Sequence, residues 1–270
     1  MCKPFHVDIF KENLMSEWMG KDFIYKKEVD STNLILKSVP SEKLNQGTTL
    51  LADYQAKGRG QYEKKWNSDP FRNLTFTIAL KPNSGTRYTL LTLGCAKALA
   101  DVLQKYTDET IRIKWPNDLM VRDKKIGGIL TESIFMGNKP DRVLIGIGLN
   151  IYQKKFHASL SNIAVSLQQI AHKPITREIL LCECLKEIEE VYHQWVMSDP
   201  NLLVDIHKIL IGYGEWVKLS IYNNIQPDKY KFIGISNKGE LLMLNEQLDV
   251  NKFSYEQVRI IPCKQPVPEA

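Results

Sequence analysis

The chain has 270 residues, of which 43% are hydrophobic and 25% charged, with a formal net charge of +5. This composition excludes a disordered chain and fits a globular protein of one large and one small domain. No apolar run is long enough to span a membrane, and the start, Met1-Cys-Lys-Pro-Phe-His6, carries no secretory-type apolar stretch, so neither a membrane protein nor an exported one is expected.

No single basic stripe dominates, so the positive charge fits an acidic protein partner or an anionic small substrate as well as nucleic acid. The five cysteines, Cys2, Cys95, Cys182, Cys184 and Cys263, show neither metal-ligand spacing nor a disulfide ladder. They predict a reducing, cytoplasmic home, and no metal-ligating set is assigned.

In chain order, a short helix is expected around residues 9–19 and a first strand over 22–29. Asp30, Ser31 or Thr32 can cap the helix that follows through 33–37. A second strand over 47–54 delivers Gln55 to a glycine loop, Gln55-Ala-Lys-Gly-Arg-Gly-Gln-Tyr-Glu-Lys-Lys-Trp66. Gly58 and Gly60 bracket Arg59 and permit a backbone that wraps closely around a ligand. Donors from Gln55, Arg59, Gln61 and the main chain suit a carboxylate or phosphate, which Arg59 can grip with two parallel hydrogen bonds. The loop is neither a Walker A string nor a dinucleotide fingerprint. It also fits a basic surface hairpin with no ligand, although Trp66 gives its far end something to fold onto.

Strict alternation over 74–80 marks a strand with one buried face, and a long helix is expected over 86–106. Next comes Ile111-Arg-Ile-Lys-Trp-Pro-Asn-Asp118, where Arg112 and Lys114 alternate with apolar residues, Pro116 ends the strand and Asn117-Asp118 turns. Lys114 is either a functional cation on rigid scaffold or an edge-strand lysine that only meets solvent. Residues 123–135 and 142–151 should form a hairpin, interrupted by Gly127, Gly128, Gly146 and Gly148. Glycines inside strands mark bulges or the close approach of a ligand, and four in facing arms point to a ligand-facing surface. A short helix near 161–170 and an amphipathic helix over 175–197 complete the large domain. A boundary between 200 and 214 precedes four short strands, over 215–222, 229–236, 239–244 and 256–261, whose spacing predicts a small barrel.

Several of these motifs together resemble the biotin–protein ligases. They are Asp30-Ser-Thr-Asn33, Gln55 with Gly58-Arg-Gly-Gln61 and Trp66, Lys114-Trp-Pro-Asn-Asp118, Lys125-Ile-Gly-Gly-Ile-Leu130, and Gly146-Ile-Gly-Leu-Asn150. The resemblance implies an α+β fold: a mixed-sheet catalytic domain of the biotin/lipoate ligase type, like class II aminoacyl-tRNA synthetases, over 1–208. A C-terminal SH3-like β-barrel would follow over 212–265. It also implies ATP with Mg²⁺ as co-substrate and ion, biotin as substrate, and transfer through biotinyl-5′-AMP to a lysine of a biotin carboxyl carrier domain. Ser31, Thr32, Asn33 and Gln55 would hold biotin's polar head. Lys114 would bridge the biotin carboxylate and the α-phosphate, with Arg59 and the Gly60 amide beside it. Gly58, Gln61, Trp66, Asn117, Lys125, Gly128 and Asn150 would complete the ligand-binding set.

The loop departs from the family pattern, with Glu63 at a usual glycine, Lys64 after it, and Gln61 where some members have a second arginine. The stretch before the first strand is shorter than a winged-helix domain, so a monofunctional enzyme without specific DNA binding is expected, as a monomer or homodimer. A lipoate–protein ligase, or a non-catalytic biotin- or nucleotide-binding regulator, is the alternative.

Overall fold

The computed structural model describes residues 3–61, 64–82, 87–158, 160–222 and 224–261. Its centre is a seven-stranded sheet of β1 (Phe23–Val29), β2 (Thr48–Gln55), β3 (Leu74–Leu80), β4 (Ile111–Lys114), β5 (Asp118–Val121), β6 (Lys124–Met136) and β7 (Lys139–Leu149), in the order β1-β2-β3-β7-β6-β5-β4. β1 and β2 run parallel around the crossover helix α2 (Thr32–Ser38), and every other pair is antiparallel. Preceding β1 is α1 (Val7–Asn13), and the remaining helices are α3 (Tyr88–Gln104), α4 (Arg177–Met197) and α5 (Pro200–Ile209).

Alternation along β3 decides the layers. Leu74, Phe76, Ile78 and Leu80 join the main core with α3 and α4, while Ala79 packs with Leu36 of α2, Leu50 and Leu144 on the other face. The strand was expected to bury one face only, yet all seven residues are buried. Thr75 and Thr77 alternate with apolar residues because they line a polar interior: Thr75 donates to the Ala52 carbonyl at 2.7 Å and Thr77 reaches α2.

The N-terminal segment is fastened to α4 by carboxylates. Glu189, buried, accepts from the main-chain N–H groups of Glu17, Trp18 and Met19, the last at 2.7 Å. The expected helix over 9–19 therefore stops at Asn13. Asp53 pairs with Arg177 at 2.9 Å, both buried, and also accepts from the Phe5 N–H and the Tyr25 hydroxyl.

Most of the expected boundary between 200 and 214 is α5, which Asp199 caps by accepting from the Asn201 N–H, with Pro200 in the first turn where its missing donor is harmless. Beyond it lies a second sheet of β8 (Trp216–Ile221), β9 (Asn224–Ile235), β10 (Leu241–Leu244), β11 (Val250–Phe253) and β12 (Val258–Ile261). The expected SH3-like β-barrel is not what forms. The strand order is β11-β10-β9-β8-β12, wholly antiparallel, and among the described residues β11 pairs only with β10 while β12 pairs only with β8, so the sheet stays open. A run of short strands fits an open sheet as well as a barrel, because closure depends on pairing of the outermost strands, which spacing does not encode. β11 went unread because its middle residues, Asn251 and Lys252, are polar.

This sheet packs tightly on the rest. Val217, Phe232, Leu241 and Met243 belong to the same apolar cluster as α3 and α4. His207 of α5 stacks on Tyr213 at 4.9 Å and accepts from the Ile235 N–H at 2.9 Å. Residues 262–265 of the expected second domain lie outside the described residues.

Candidate active site on the glycine face of the large sheet

Strand register lays out the site. Lys114 pairs with Asp118, Asp118 with Gly128, Gly128 with Gly148 and Gly148 with Thr75, forming one row across β4, β5, β6, β7 and β3. The neighbouring row holds Leu130, Gly146 and Thr77. Both rows lie on the same face of the sheet, so Lys114, three glycines and two threonines share one surface. At about 4.8 Å per strand, the Lys114 backbone stands roughly 10 Å from Gly128. Gly127 does not belong to this surface: a Cβ there would meet Leu149 and Leu119 on the opposite face. Only three of the four hairpin glycines therefore floor the site.

At one end of the floor is a buried polar pocket. Ser31, Thr32, Asn33 and Gln55 are all at most 9% exposed. The Gln55 side-chain oxygen accepts from the Thr32 N–H at 2.8 Å and its hydroxyl at 3.1 Å. Thr77 lies 2.7 Å from the Thr32 hydroxyl and 2.6 Å from the Asn33 side-chain oxygen. A Cβ at Gly146 would come within 2.3 Å of that oxygen, so the glycine is what admits Asn33. Ser31 begins α2 without capping it through its side chain. Thr77 was not among the expected site residues; its signal was the threonine spacing along a central strand.

The glycine loop lies across the same face. The Trp66 N–H donates to the Gly58 carbonyl at 3.0 Å, and the Gly60 N–H to the Lys64 carbonyl at 2.7 Å. The Gly60 amide, expected to face an anion, is thus occupied within the loop. A Cβ at Gly148 would sit 2.4 Å from the Trp66 ring, so the indole rests directly on that glycine. Trp66 Nε1 is buried and has no acceptor among the described residues, a donor left for a ligand to satisfy. The loop's base is tied to the α2 entry by Lys57, which pairs with Asp30 at 2.9 Å; that hydrogen bond raises the lysine's pKa. Arg59 reaches Glu132 of β6 at 3.3 Å. Gln61 is half-buried, and the Glu63 departure lies outside the described residues.

Lys114 ends β4 exposed; its carbonyl accepts from the Asn117 N–H at 3.2 Å, while its ammonium has no hydrogen bond or ion pair to another described residue. Lys125 curls over Gly128, with its ammonium 2.5 Å from Asp118 and 5.8 Å from the Trp66 ring centre. Asn117 and Asn150 are turned to scaffold. The Asn117 amide donates to the Ile129 carbonyl at 2.6 Å, and the Asn150 amide to the Val165 carbonyl at 3.2 Å. Glu132 and Thr77 are thus the pocket residues that sequence reasoning missed; Glu132 stood out as a charge inside an apolar strand, four residues past Gly128 and so on its face.

A cavity of about 530 Å³ opens at the β5–β6 turn, lined by Val121, Arg122, Lys124, Phe156 and Ile170 among others, and none of the expected site residues lines it. No cluster of three or more His, Cys, Asp or Glu capable of holding a metal occurs among the described residues. Burial pushes the Cys95 and Cys182 thiols up to about 12, so neither is a ready nucleophile.

A mixed sheet carrying a cationic loop over a glycine floor defines the class. The model of the biotin/lipoate A/B protein ligase family matches residues 25–150, the stretch that contains the floor, the loop and the polar pocket. The bifunctional ligase/repressor BirA of Bacillus subtilis (strain 168) is 34% identical over 236 residues, covering 85% of this chain and 71% of that protein. BirA of Escherichia coli (strain K12) is 31% identical over 80% of this chain and 67% of its own length. Among solved structures, the biotin protein ligase from Aquifex aeolicus in complex with biotin and ATP superimposes with a TM-score of 0.77 at 29% identity, covering 90% of this chain and 100% of that one. The chain belongs to the biotin/lipoate A/B protein ligase family, on its biotin–protein ligase branch.

Proposed function

We propose that the protein is an ATP-dependent biotin–protein ligase that forms biotinyl-5′-AMP and transfers the biotinyl group to a lysine of a carrier domain. The observation that carries this reading is the single register row from Lys114 through Gly128 and Gly148, running toward the buried Thr32–Asn33–Gln55 pocket. It supplies a fixed cation, a floor on which planar groups can lie close to backbone, and polar partners for a head group.

The biotin carboxylate attacks the α-phosphorus of ATP, forming the acyl–phosphate bond as the bond to pyrophosphate breaks. Bringing a carboxylate against a polyanion needs positive charge where negative charge builds. Lys114 fills that role, and Arg59 approaches from the loop. Lys125 and Trp66 flank the nucleotide over Gly128 and Gly148, with the unpaired Trp66 Nε1 as a further donor. The Gly60 amide joins only when its bond to Lys64 opens. Gly58 brings the loop backbone against Trp66, and Gln61 adds a donor near its tip. Asn117 and Asn150 act by fixing the turn and strand end around the floor. Mg²⁺, when bound, would supply positive charge that offsets the departing pyrophosphate.

In the second step the carrier's amine attacks the acyl carbonyl directly, expelling AMP and losing a proton. The described thiols, Cys95, Cys182 and Cys184, are buried with raised pKa values, which fits direct transfer without an acyl group on any of the three.

Beyond Leu130, β6 runs on to Met136 while β5 pairs no further than Gly128, leaving one edge without a described partner strand beside Glu132 and Arg59. That edge suits docking of the carrier or of a second copy by strand addition. We keep the division into a catalytic part over 1–208 and a C-terminal module over 212–265, in a reducing cytoplasm; no helix among the described residues is long and apolar enough to cross a membrane.

The test is pyrophosphate release with biotin against lipoate, followed by mass shift of a purified biotin carboxyl carrier domain. Biotin-dependent release with transfer supports the reading. Release with lipoate alone would move it to the sister branch, and binding without release would make the protein a regulator.

A further inference from the structure

Glu132 joins the two halves of the site. Its Oε2 accepts from the Asn33 Nδ2 at 2.7 Å, and its Oε1 lies 3.3 Å from Arg59 Nη1 and 4.0 Å from Lys37 Nζ. Asn33 in turn accepts from the Thr77 hydroxyl through its other side-chain atom. The Glu132 side chain is 18% exposed against 44% for Arg59, so the carboxylate is the more buried member of the pair and the guanidinium the more exposed. Among the described residues no other side chain holds Arg59.

We infer that Glu132 is a positioning residue of the ligase, holding the Arg59 guanidinium on the glycine face and linking the loop to the head-group pocket through Asn33. The inference rests on the ligase reading given above. Arginine has many rotamers, and an untethered Arg59 at the loop's tip would lose that freedom on meeting an anion. Pairing it with Glu132 beforehand lowers that loss. A lysine 4.0 Å away on α2 shares the carboxylate, so Arg59 is held by a partly shared charge, loose enough to be surrendered to a phosphate. A ligand group that engages the Asn33 amide must compete with Glu132 for Nδ2. Head-group binding is thereby relayed along Asn33, Glu132 and Arg59 to the loop.

The decisive variant is Glu132→Gln, which keeps an acceptor for Asn33 and removes the charge that holds Arg59. In the ligand-free protein, tryptic cleavage after Arg59 should rise about fivefold, the scale of one partly exposed ion pair. With biotin and ATP, adenylation should slow and biotinyl-AMP should escape faster by a similar factor, with the KM for biotin essentially unchanged. Glu132→Asp, which retains the charge on a shorter arm, should fall between the two. On the Arg59→Gln background, Glu132→Gln should add no further loss, because the carboxylate acts through the guanidinium. Unchanged cleavage after Arg59, unchanged escape of the adenylate, or additive effects in the cycle would each overturn the assignment. A lowered melting temperature alone, with escape unaltered, would mark Glu132 as purely structural and overturn it too. If the wild-type protein makes no biotinyl-AMP, the ligase reading fails, while the Arg59–Glu132 pairing is still decided by cleavage of the empty protein.

Discussion

Replacing Lys114 with Ala separates fold from chemistry. The side chain is exposed at the end of β4 and bonds to no other described residue, so its loss should change stability by no more than about 0.5 kcal/mol. Its place at the end of the glycine row gives it a different weight in catalysis. A donor aimed at developing charge contributes about 3–4 kcal/mol. At about 1.36 kcal/mol per factor of ten, the adenylation rate should fall roughly 150- to 900-fold. Lys114→Arg should restore little of it, because a planar fork does not replace a compact ammonium between two anions. Pre-steady-state formation of biotinyl-AMP measures the rate, with circular dichroism and urea unfolding as folding controls. A folded Lys114→Ala protein that adenylates at near the wild-type rate would refute the reasoning and shift the central charge to Arg59 or Lys125.

Gly148→Ala places a Cβ 2.4 Å from the Trp66 ring, so the indole must lift; cleavage at Lys64 and Lys65 should increase and the KM for ATP should rise more than that for biotin. Arg177→Ala leaves the Asp53 carboxylate buried and uncompensated, which should cost about 3–5 kcal/mol in urea unfolding with an unchanged m-value. His207 sets a pH limit. Burial holds its pKa below the ordinary value, and its Nε2 accepts from the Ile235 N–H, a bond only the unprotonated nitrogen can make. The unfolded chain therefore binds the proton more readily, and stability rises with pH in this range. The contribution is complete above the unfolded pKa of about 6.5 and is lost as pH falls through the lower folded value. Thermal unfolding between about pH 5 and 8 should show this slope, and a slope unchanged in His207→Gln would assign it elsewhere.

The candidate site stands out in the sequence because its chemistry is written in residue types. A glycine-flanked arginine, a lysine alternating with apolar residues and glycines inside strands are costly choices unless something binds there. What the sequence does not carry is which face each residue meets. Gly127 and Gly128 are adjacent letters with opposite faces, and only the pairing of Gly128 with Gly148 shows which one floors the site. Asn117 and Asn150 entered the ligand-binding set through the family resemblance, and the structure shows their side-chain amides donating to main-chain carbonyls twelve and fifteen residues away. The expected boundary over 200–214 holds a helix that Pro200 opens, and among the described residues the C-terminal strands fall short of a barrel because β11 and β12 do not pair. Both are questions of long-range pairing, which local pattern does not settle.

The members of the Lys114-Trp-Pro-Asn-Asp118 stretch do different work within one short span. Lys114 and Asp118 face the glycine row. Trp115, 4% exposed, donates its indole N–H to the Gly239 carbonyl at 3.2 Å, and Asn117 clamps the turn to β6. Gly239 itself has φ +83, and a Cβ there would press within 2.5 Å of the Leu90 main chain at the start of α3. The β9–β10 turn is thus wedged against α3 while it receives the tryptophan. The outer side of β4 is held as well, for the Ile211 N–H donates to the Ile113 carbonyl at 2.9 Å. A cation that stabilises a transition state does so most when it need not reorganise as charge develops. A lysine with no side-chain partner meets that demand only if its backbone is fixed from every direction. The second sheet, though it contributes none of the expected site residues, fixes it through Trp115.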